Sequence, residues 1–389
     1  MRKIPFAKID CSGNELQYVK EVIDSGWLTT AGKAKELEDK FAQAINVKYA
    51  FAVNSCTSAL HLALDALNVG PNDKVFVPTM TFTASAEVIR YMGADPVFLD
   101  VDFATALLTP EILEKAIQKN PNVKVLIVVH YAGQSVDMNP QSEKSIYSIC
   151  KNNNIKIIED AAHAFPARDA EHRVGGLGDI ACFSFYANKT MTTGEGGIVA
   201  TNDEELAKRL KLMRLHGINR DVWDRFTSQK ANWEYDVVAP GFKYNMPDIN
   251  AAIGLAQLER VYEMRDQRQR CAEFYLDKLK DFKHLNLPVA RVASEDHAWH
   301  LFPVTLRETS PVSRNRIIEL LAADEIGTSV HYKPLHQMTY YKIQYDLKSE
   351  DYPNAERIWR SCFSLPIYPG LSEDDLGYII ERLSVHLKE

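Results

Sequence analysis

Nothing in this chain of 389 residues reads as a membrane span, a disulfide framework or a nucleic-acid tract. Its most apolar run, VLIVV at 125–129, is a quarter of the roughly 20 residues that a spanning helix needs. The opening MRKIPFAKID has two basic residues and no apolar core after them, so neither an export signal nor a membrane anchor is expected. Six cysteines (Cys11, Cys56, Cys150, Cys182, Cys271 and Cys362) are scattered without a CxxC pair, which points to reduced thiols in a cytoplasm. No Lys/Arg run is long enough to track a phosphate backbone, and with a net charge of −7 nucleic acid is not an expected partner. A mildly acidic whole can still bind a small anion, because helix N-termini and one or two cations suffice.

Repeats and low-complexity segments are missing as well, and 46% hydrophobic with 25% charged residues is ordinary globular composition. The length allows one large domain with a smaller companion, or two comparable domains. After an amphipathic opening at 15–26, strand-like runs alternate with helical ones. The strands are YAFAV (49–53), KVFVP (74–78), PVFLDV (96–101), KVLIVV (124–129), KIIED (156–160), DIACFSF (179–185) and GGIVAT (196–201). Near-continuous apolar strands joined by helices predict an α/β fold with a mostly parallel sheet covered on both faces. At Pro247 the texture changes to one long helical stretch, PDINAAIGLAQLERVYEMRDQRQRCAEFYLDKLK. A small α+β tail follows, with strands at WHLFPVTL (299–306) and TSVHY (328–332) and helices at RNRIIELLAADE and DDLGYIIERLSVHL. Two domains are expected, 1–246 and 247–389.

Open α/β sheets bind ligands beyond the carboxyl ends of their strands, and three such ends carry chemistry. Asn54-Ser55-Cys56-Thr57-Ser58 precedes a helix, so its hydroxyls and free N–H groups could take a phosphate or serve as a plain N-cap. Asp160 closes a strand and could face a cationic ring nitrogen, while the bland alternative has Asp160 or Glu159 capping the next turn. His163 could bond the same ligand or be a satisfied structural residue. Lys189 follows a strand and precedes a Gly-containing turn, TMTTGEGG, fixing an amine at the mouth of the crevice. Partly desolvated, it could attack an aldehyde; alone, it would pass for a surface lysine. Metal binding is not expected. His297 and His300 form HxxH in a predicted strand, where residues three apart face opposite ways.

The ordered segments NSCTSALHLAL, PTMTFTASAEVI, IIEDAAHA, FSFYANKTMTTGEGG and PGFKYNMPDINAAIGLAQLE resemble the DegT/DnrJ/EryC1/StrS family of nucleotide-sugar aminotransferases, from GWLTT near the start to SLPIYPGLS near the end. The resemblance implies an aspartate-aminotransferase-like type I fold and the cofactor pyridoxal 5'-phosphate (PLP), with pyridoxamine phosphate as its alternate form. It gives Lys189 the role of the Schiff-base lysine and proton shuttle, Asp160 that of the carboxylate on the ring nitrogen, and His163 a place beside the ring. Phe82 matches the ring-stacking aromatic; Cys56, Thr57 and Ser184 match the phosphate cup. Lys243, Tyr244 and Asn245 match a loop sent into the partner's site, which implies a homodimer with shared active sites. Thr30, Tyr186, His331 and His336 are candidate substrate contacts. Position 56 is Cys where the family usually has Gly, GWLTTAGK replaces the commoner LTTGP, and Lys243 stands where many relatives have Asn.

On this resemblance the expected reaction moves an amino group from glutamate to the keto carbon of a nucleotide-linked sugar, leaving 2-oxoglutarate. VVHYAGQSVDM, DAAHAF, HAWHLF and GFKYNM look like the branch that aminates C4 of UDP-linked 4-keto sugars, including a pentose that modifies lipid A, so a lipopolysaccharide or related glycan pathway is implied. The alternatives are C3 amination, a PLP-dependent sugar dehydratase, in which the family carries His in place of Lys189, and a non-catalytic PLP-binding regulatory protein.

Overall fold

In the computed structural model, residues 2–219 and 235–388 are described. Seven strands make the central sheet: β1 (Tyr49–Val53), β2 (Lys74–Pro78), β3 (Asp95–Leu99), β4 (Val125–Val129), β5 (Lys156–Asp160), β6 (Ile180–Ser184) and β7 (Gly197–Thr201). Their order is β1-β7-β6-β5-β4-β2-β3. β7 runs antiparallel to both its neighbours, whereas β2/β3, β2/β4, β4/β5 and β5/β6 are parallel. The carboxyl ends of β1, β5 and β6 therefore open on one edge of the sheet, where β7 begins. Every residue of β4 and β7 is buried, as strands covered on both faces require.

Helices close on the sheet for local reasons. The helix α1 (Glu15–Ser25) ends on Gly26, whose φ of 72° is the left-handed cap that glycine adopts without strain. The helix α2 (Gly32–Ile45) was not expected from the sequence, although Leu37, Phe41 and Ile45 bury one face at spacings of four. The helix α3 (Cys56–Ala66) starts at Ser55, whose side chain accepts the Ser58 N–H. The helix α4 (Asp248–Leu279) is 32 residues long, and Pro247 stands just before its first turn. Ala251, Leu255, Val261 and Met264 of α4 pack into the core beside α2, and Cys271, Ala272, Tyr275 and Leu279 into a separate core further on. One helix thus ties two hydrophobic units together.

The second unit is a three-stranded antiparallel sheet of β8 (Leu285–Asn286), β9 (Phe302–Leu306) and β10 (Cys362–Leu365), covered by helices Arg314–Ala323 and Glu373–Leu387. A division near Pro247 remains our proposal, with exchanges across it. Ile4 joins the small core and pairs with Ile326, while Leu335, Tyr341, Ala355 and Ile358 join the core of the large sheet.

Two expected strands differ. Residues 328–332 make only a single bridge, Ser329 to Ser364, because the chain then leaves the sheet towards the crevice. β9 begins at Phe302 rather than Trp299. The preceding residues pack on the turn at Tyr131–Gly133, with Ala298 N–H on the Gly133 carbonyl and Leu301 N–H on the Ala132 carbonyl.

Candidate active site

The edge where β1, β5 and β6 end is built from alternation along β5. Neighbouring residues of a strand face opposite sides, and here the two acids divide the work. Glu159 turns into the structure: it meets His130 Nε2 at 2.9 Å and accepts the N–H groups of Gly175, Leu177 and Gly178. Burial alone would raise its carboxyl, but His130 and these amides hold it below the usual carboxylate range. Asp160 turns towards the crevice. Its Oδ2 accepts the Ser85 hydroxyl at 2.7 Å, its Oδ1 the Ala162 N–H at 3.1 Å, and no ion pair among the described residues includes it. Burial raises the Asp160 carboxyl, opposed by those two donors and by the charge of Lys189. A buried carboxylate in this condition calls for a cation.

At the carboxyl end of β1 the first turn of α3 presents its amides. Ser58 N–H is spent on Ser55, whereas the N–H groups of Cys56 and Thr57 find no acceptor among the described residues. The close packing here depends on Gly197, because a Cβ at that position would stand 2.6 Å from the Phe183 carbonyl oxygen and 2.8 Å from Cys56 N. The capping and the phosphate readings of this segment are thus compatible: Ser55 caps, and the two amides after it stay free. Ser184, at the end of β6, accepts the Tyr186 N–H at 3.3 Å.

Lys189 lies beyond β6, partly buried, in the loop whose Lys189 N–H bonds the Tyr186 carbonyl. Burial brings its amine down to about 8; Cys56 and Asp160 pull the other way, and the Arg268 charge adds to the lowering. A fraction of the lysine is therefore neutral and nucleophilic near neutral pH. Burial and the charges of Lys189 and His331 hold His163 well below the usual imidazole range. His331, brought to about 4 by burial and by Lys189, stacks on Phe6 and meets the Ser364 hydroxyl at 3.0 Å. The structure so brings Cys56, Asp160, His163, Lys189 and His331 into one electrostatic neighbourhood. Phe82 is 58% exposed, a large apolar face that a bound ring would cover.

Other candidates sit elsewhere. Lys243 is exposed and bonds Asn245 Oδ1; the Asn245 amide in turn donates to Thr30 Oγ1 at 2.5 Å, and Thr30 to the Met246 carbonyl at 2.6 Å. Tyr244 is fixed beside them, its carbonyl accepting the Asn54 N–H. No hydrogen bond or ion pair among the described residues joins this group to Lys189. Tyr186 is exposed. His336 is 1% exposed, with Nδ1 on Thr79 Oγ1 and Nε2 on Glu356, both at 2.9 Å. No ring nitrogen remains for a sugar, so the expected substrate contact at His336 gives way to a structural one. The segment holding His297 and His300 is not a strand: His297 stacks on Trp299, and His300 faces His163 with ring centroids 4.5 Å apart. No group of three or more His, Cys, Asp or Glu among the described residues could hold a metal ion.

Four participants escaped sequence reasoning. Ser85 lies in PTMTFTASAEVI, a segment singled out without assigning it. Tyr332 adjoins His331 and sends its hydroxyl to His163 Nε2 at 2.9 Å. His300 is buried, and its Nδ1 has no hydrogen-bond partner among the described residues. Arg268, on α4, is buried and pairs with no carboxylate among the described residues; its Nη1 donates to the Ile367 carbonyl at 2.8 Å, and burial brings it to about 10.

A phosphorylated pyridine aldehyde fits these residues. Free amides and the hydroxyls of Thr57 and Ser184 suit a phosphate, unpaired Asp160 suits a ring cation, the open face of Phe82 suits a ring, and the amine of Lys189 suits an aldehyde. The charged forms of Lys189 and Arg268 are the cations that act on one another here, and burial keeps His163, His300 and His331 neutral, so a guest's negative charge has these two to meet.

The model of the DegT/DnrJ/EryC1/StrS aminotransferase family matches residues 10–384. The spore coat polysaccharide biosynthesis protein SpsC of Bacillus subtilis is 39% identical over 382 residues, covering 98% of this chain and 96% of that protein. Spr1654 of Streptococcus pneumoniae, assigned as a sugar aminotransferase and solved in a PLP form, superposes with a TM-score of 0.89 at 32% identity, over 100% of this chain and 99% of that one. Helicobacter pylori PseC, an aminotransferase involved in pseudoaminic acid biosynthesis, gives a TM-score of 0.90 at 26% identity, with all of both chains covered.

Proposed function

The chain belongs to the DegT/DnrJ/EryC1/StrS aminotransferase family, and on that premise we propose that it moves an amino group from glutamate to the keto carbon C4 of a nucleotide-linked sugar, with pyridoxal phosphate held at Lys189. The observation that carries this reading is the pairing of a depressed lysine amine with a buried carboxylate that makes no ion pair among the described residues. Bound there, the cofactor supplies an aldehyde that takes up and returns the amino group, and a cationic ring that accepts electrons.

The chain's own residues do the rest. Asp160 holds the ring nitrogen protonated, and Ser85 and the Ala162 N–H keep that carboxylate ionised and aimed. The amides of Cys56 and Thr57, with Thr57 and Ser184 hydroxyls, bind the phosphate at the positive end of α3. Phe82 covers one face of the ring. Lys189 carries the proton between the substrate carbon and the cofactor, a task for which an amine titrating near the working pH is suited. His331 and Tyr186, at the mouth, are proposed sugar contacts. The loop at Lys243–Asn245 with Thr30 is proposed to complete the site of a second copy in a homodimer. The exposure of Leu16 (83%), Ile23 (57%) and Tyr186 (49%) supports such an interface.

A sugar acceptor is supported by the relatives, whose names place them in polysaccharide and pseudoaminic acid biosynthesis. A UDP-linked 4-keto sugar, and a surface glycan as the product's destination, rest on the segments around His130, His163, His300 and Tyr244. The test incubates the purified protein with glutamate and a panel of nucleotide ketosugars and follows 2-oxoglutarate and product mass. A product one amino group richer, formed at C4 and absent with Lys189→Ala, is the expected result. 2-Oxoglutarate that never exceeds the Lys189→Ala control with any sugar would refute the proposal.

A further inference from the structure

We infer that Tyr332 donates its hydroxyl proton to the phenolate oxygen of the bound cofactor, in a hydrogen-bond chain that runs from the Ala132 amide through His163. The inference rests on the reading of Lys189 as the cofactor's anchor and adds a residue that neither motif nor resemblance assigned.

The direction of each bond follows from the first. The Ala132 N–H points at His163 Nδ1 over 3.3 Å, so Nδ1 carries the lone pair. His163 is buried between Lys189 and His331, which disfavour a second proton on its ring. The single ring proton therefore sits on Nε2, which meets the Tyr332 hydroxyl at 2.9 Å. The ring donates and the phenol oxygen accepts. Tyr332 keeps its own O–H unspent, with no further acceptor among the described residues.

The Ala132 donor is held in place. Its φ is 60°, a left-handed conformation that an alanine adopts only when its surroundings impose it. Here Leu301 N–H bonds the Ala132 carbonyl at 3.2 Å, Ala298 N–H bonds the Gly133 carbonyl at 2.8 Å, and Tyr131 Oη donates to the His331 carbonyl. The segments flanking the small sheet thus clamp both ends of the chain.

The acceptor is fixed by what else the crevice offers. The Tyr332 ring lies 6.1 Å from that of Phe82 and 6.0 Å from that of His163, close to parallel with the latter at 26°. The negative charge of Asp160 reaches the phenol and is committed to the ring nitrogen. On a 3-hydroxypyridine-4-aldehyde the remaining anionic atom of the ring is the phenolate oxygen, next to the carbon that Lys189 takes. A donor on that oxygen weakens its hold on the proton shared with the Lys189 nitrogen and so lowers the pH at which that nitrogen titrates.

The test titrates the visible absorbance of the substrate-free holoenzyme with pH. Tyr332→Phe is expected to raise the midpoint by roughly one unit while borohydride still fixes the cofactor at Lys189. His163→Leu, which removes the N–H that orients Tyr332, is expected to raise it by less. His163→Gln, whose amide can donate to Tyr332, is expected to restore the wild-type midpoint. An unchanged midpoint in Tyr332→Phe overturns the inference. Should that variant not fold, an unchanged midpoint in His163→Leu does so. A wild-type protein without a titrating chromophore would refute the anchor at Lys189 itself, and this inference with it.

Discussion

The hydroxyl of Ser85 donates to Oδ2 of Asp160 across 2.7 Å, joining residues 75 positions apart in the chain. Asp160 is 5% exposed; burial raises its carboxyl, and this bond, the Ala162 amide and the charge of Lys189 oppose that rise. On the proposed function, Ser85 would bear on cofactor affinity through Asp160 without touching the substrate.

Replacing Ser85 by Ala removes one of two donors to a buried charge, a loss of about 1.5–3 kcal/mol. Cofactor affinity is expected to fall roughly 10- to 100-fold. Equilibrium dialysis against pyridoxal phosphate measures it, with circular dichroism to show that the fold is kept. Affinity equal to wild type would mean that Asp160 does not meet the ring.

The pH dependence of cofactor uptake follows from Lys189. Burial lowers its amine to about 8, and only the neutral form attacks an aldehyde. The rate at which apoenzyme takes up pyridoxal phosphate is therefore expected to rise with pH through about 8 and level off above it. Stopped-flow absorbance checks this, and a rate still rising towards 10.5 would show an ordinary, solvated lysine.

His336 offers a contrast between stability and chemistry. It sits in the core between Thr79 and Glu356 and stacks on Tyr352 at 4.3 Å. His336→Ala is expected to cost about 2–4 kcal/mol in urea unfolding, since it empties a buried site stacked on Tyr352 and removes one bond each from Thr79 and Glu356, which keep the residue 336 N–H and the Gln337 and Arg360 side chains respectively. The KM for the sugar of the folded fraction should stay near wild type. A KM raised tenfold with stability intact would return His336 to the substrate side.

The order of strands and helices was legible because each strand of the large sheet is a short apolar run and each turn carries its breaker; β1, β2 and β5 have the bounds that the pattern gives. The three strand ends that hold Cys56, Asp160 and Lys189 were legible for the same reason, since open sheets place ligands there. What stayed hidden is what sequence distance conceals. Ser85 with Asp160 and Tyr332 with His163 are pairs 75 and 169 residues apart, and no periodicity links them. The choice between Glu159 and Asp160 also needed coordinates, because alternation shows that they part but not which faces the crevice. The segment at 328–332 misled for a related reason: its β-branched and aromatic residues suit a strand, but after one bridge to Ser364 of β10 the pairing stops, and the His331 carbonyl is taken by the Tyr131 hydroxyl instead of a neighbouring strand.

The covalent hold of Lys189 on the cofactor carries the whole account, and borohydride reduction of the reconstituted protein followed by peptide mapping tests it most directly. The label is expected on the peptide that contains Lys189 and nowhere else, with Lys189→Ala unlabelled. Label on another lysine, or protein that stays colourless after reconstitution, would contradict the account.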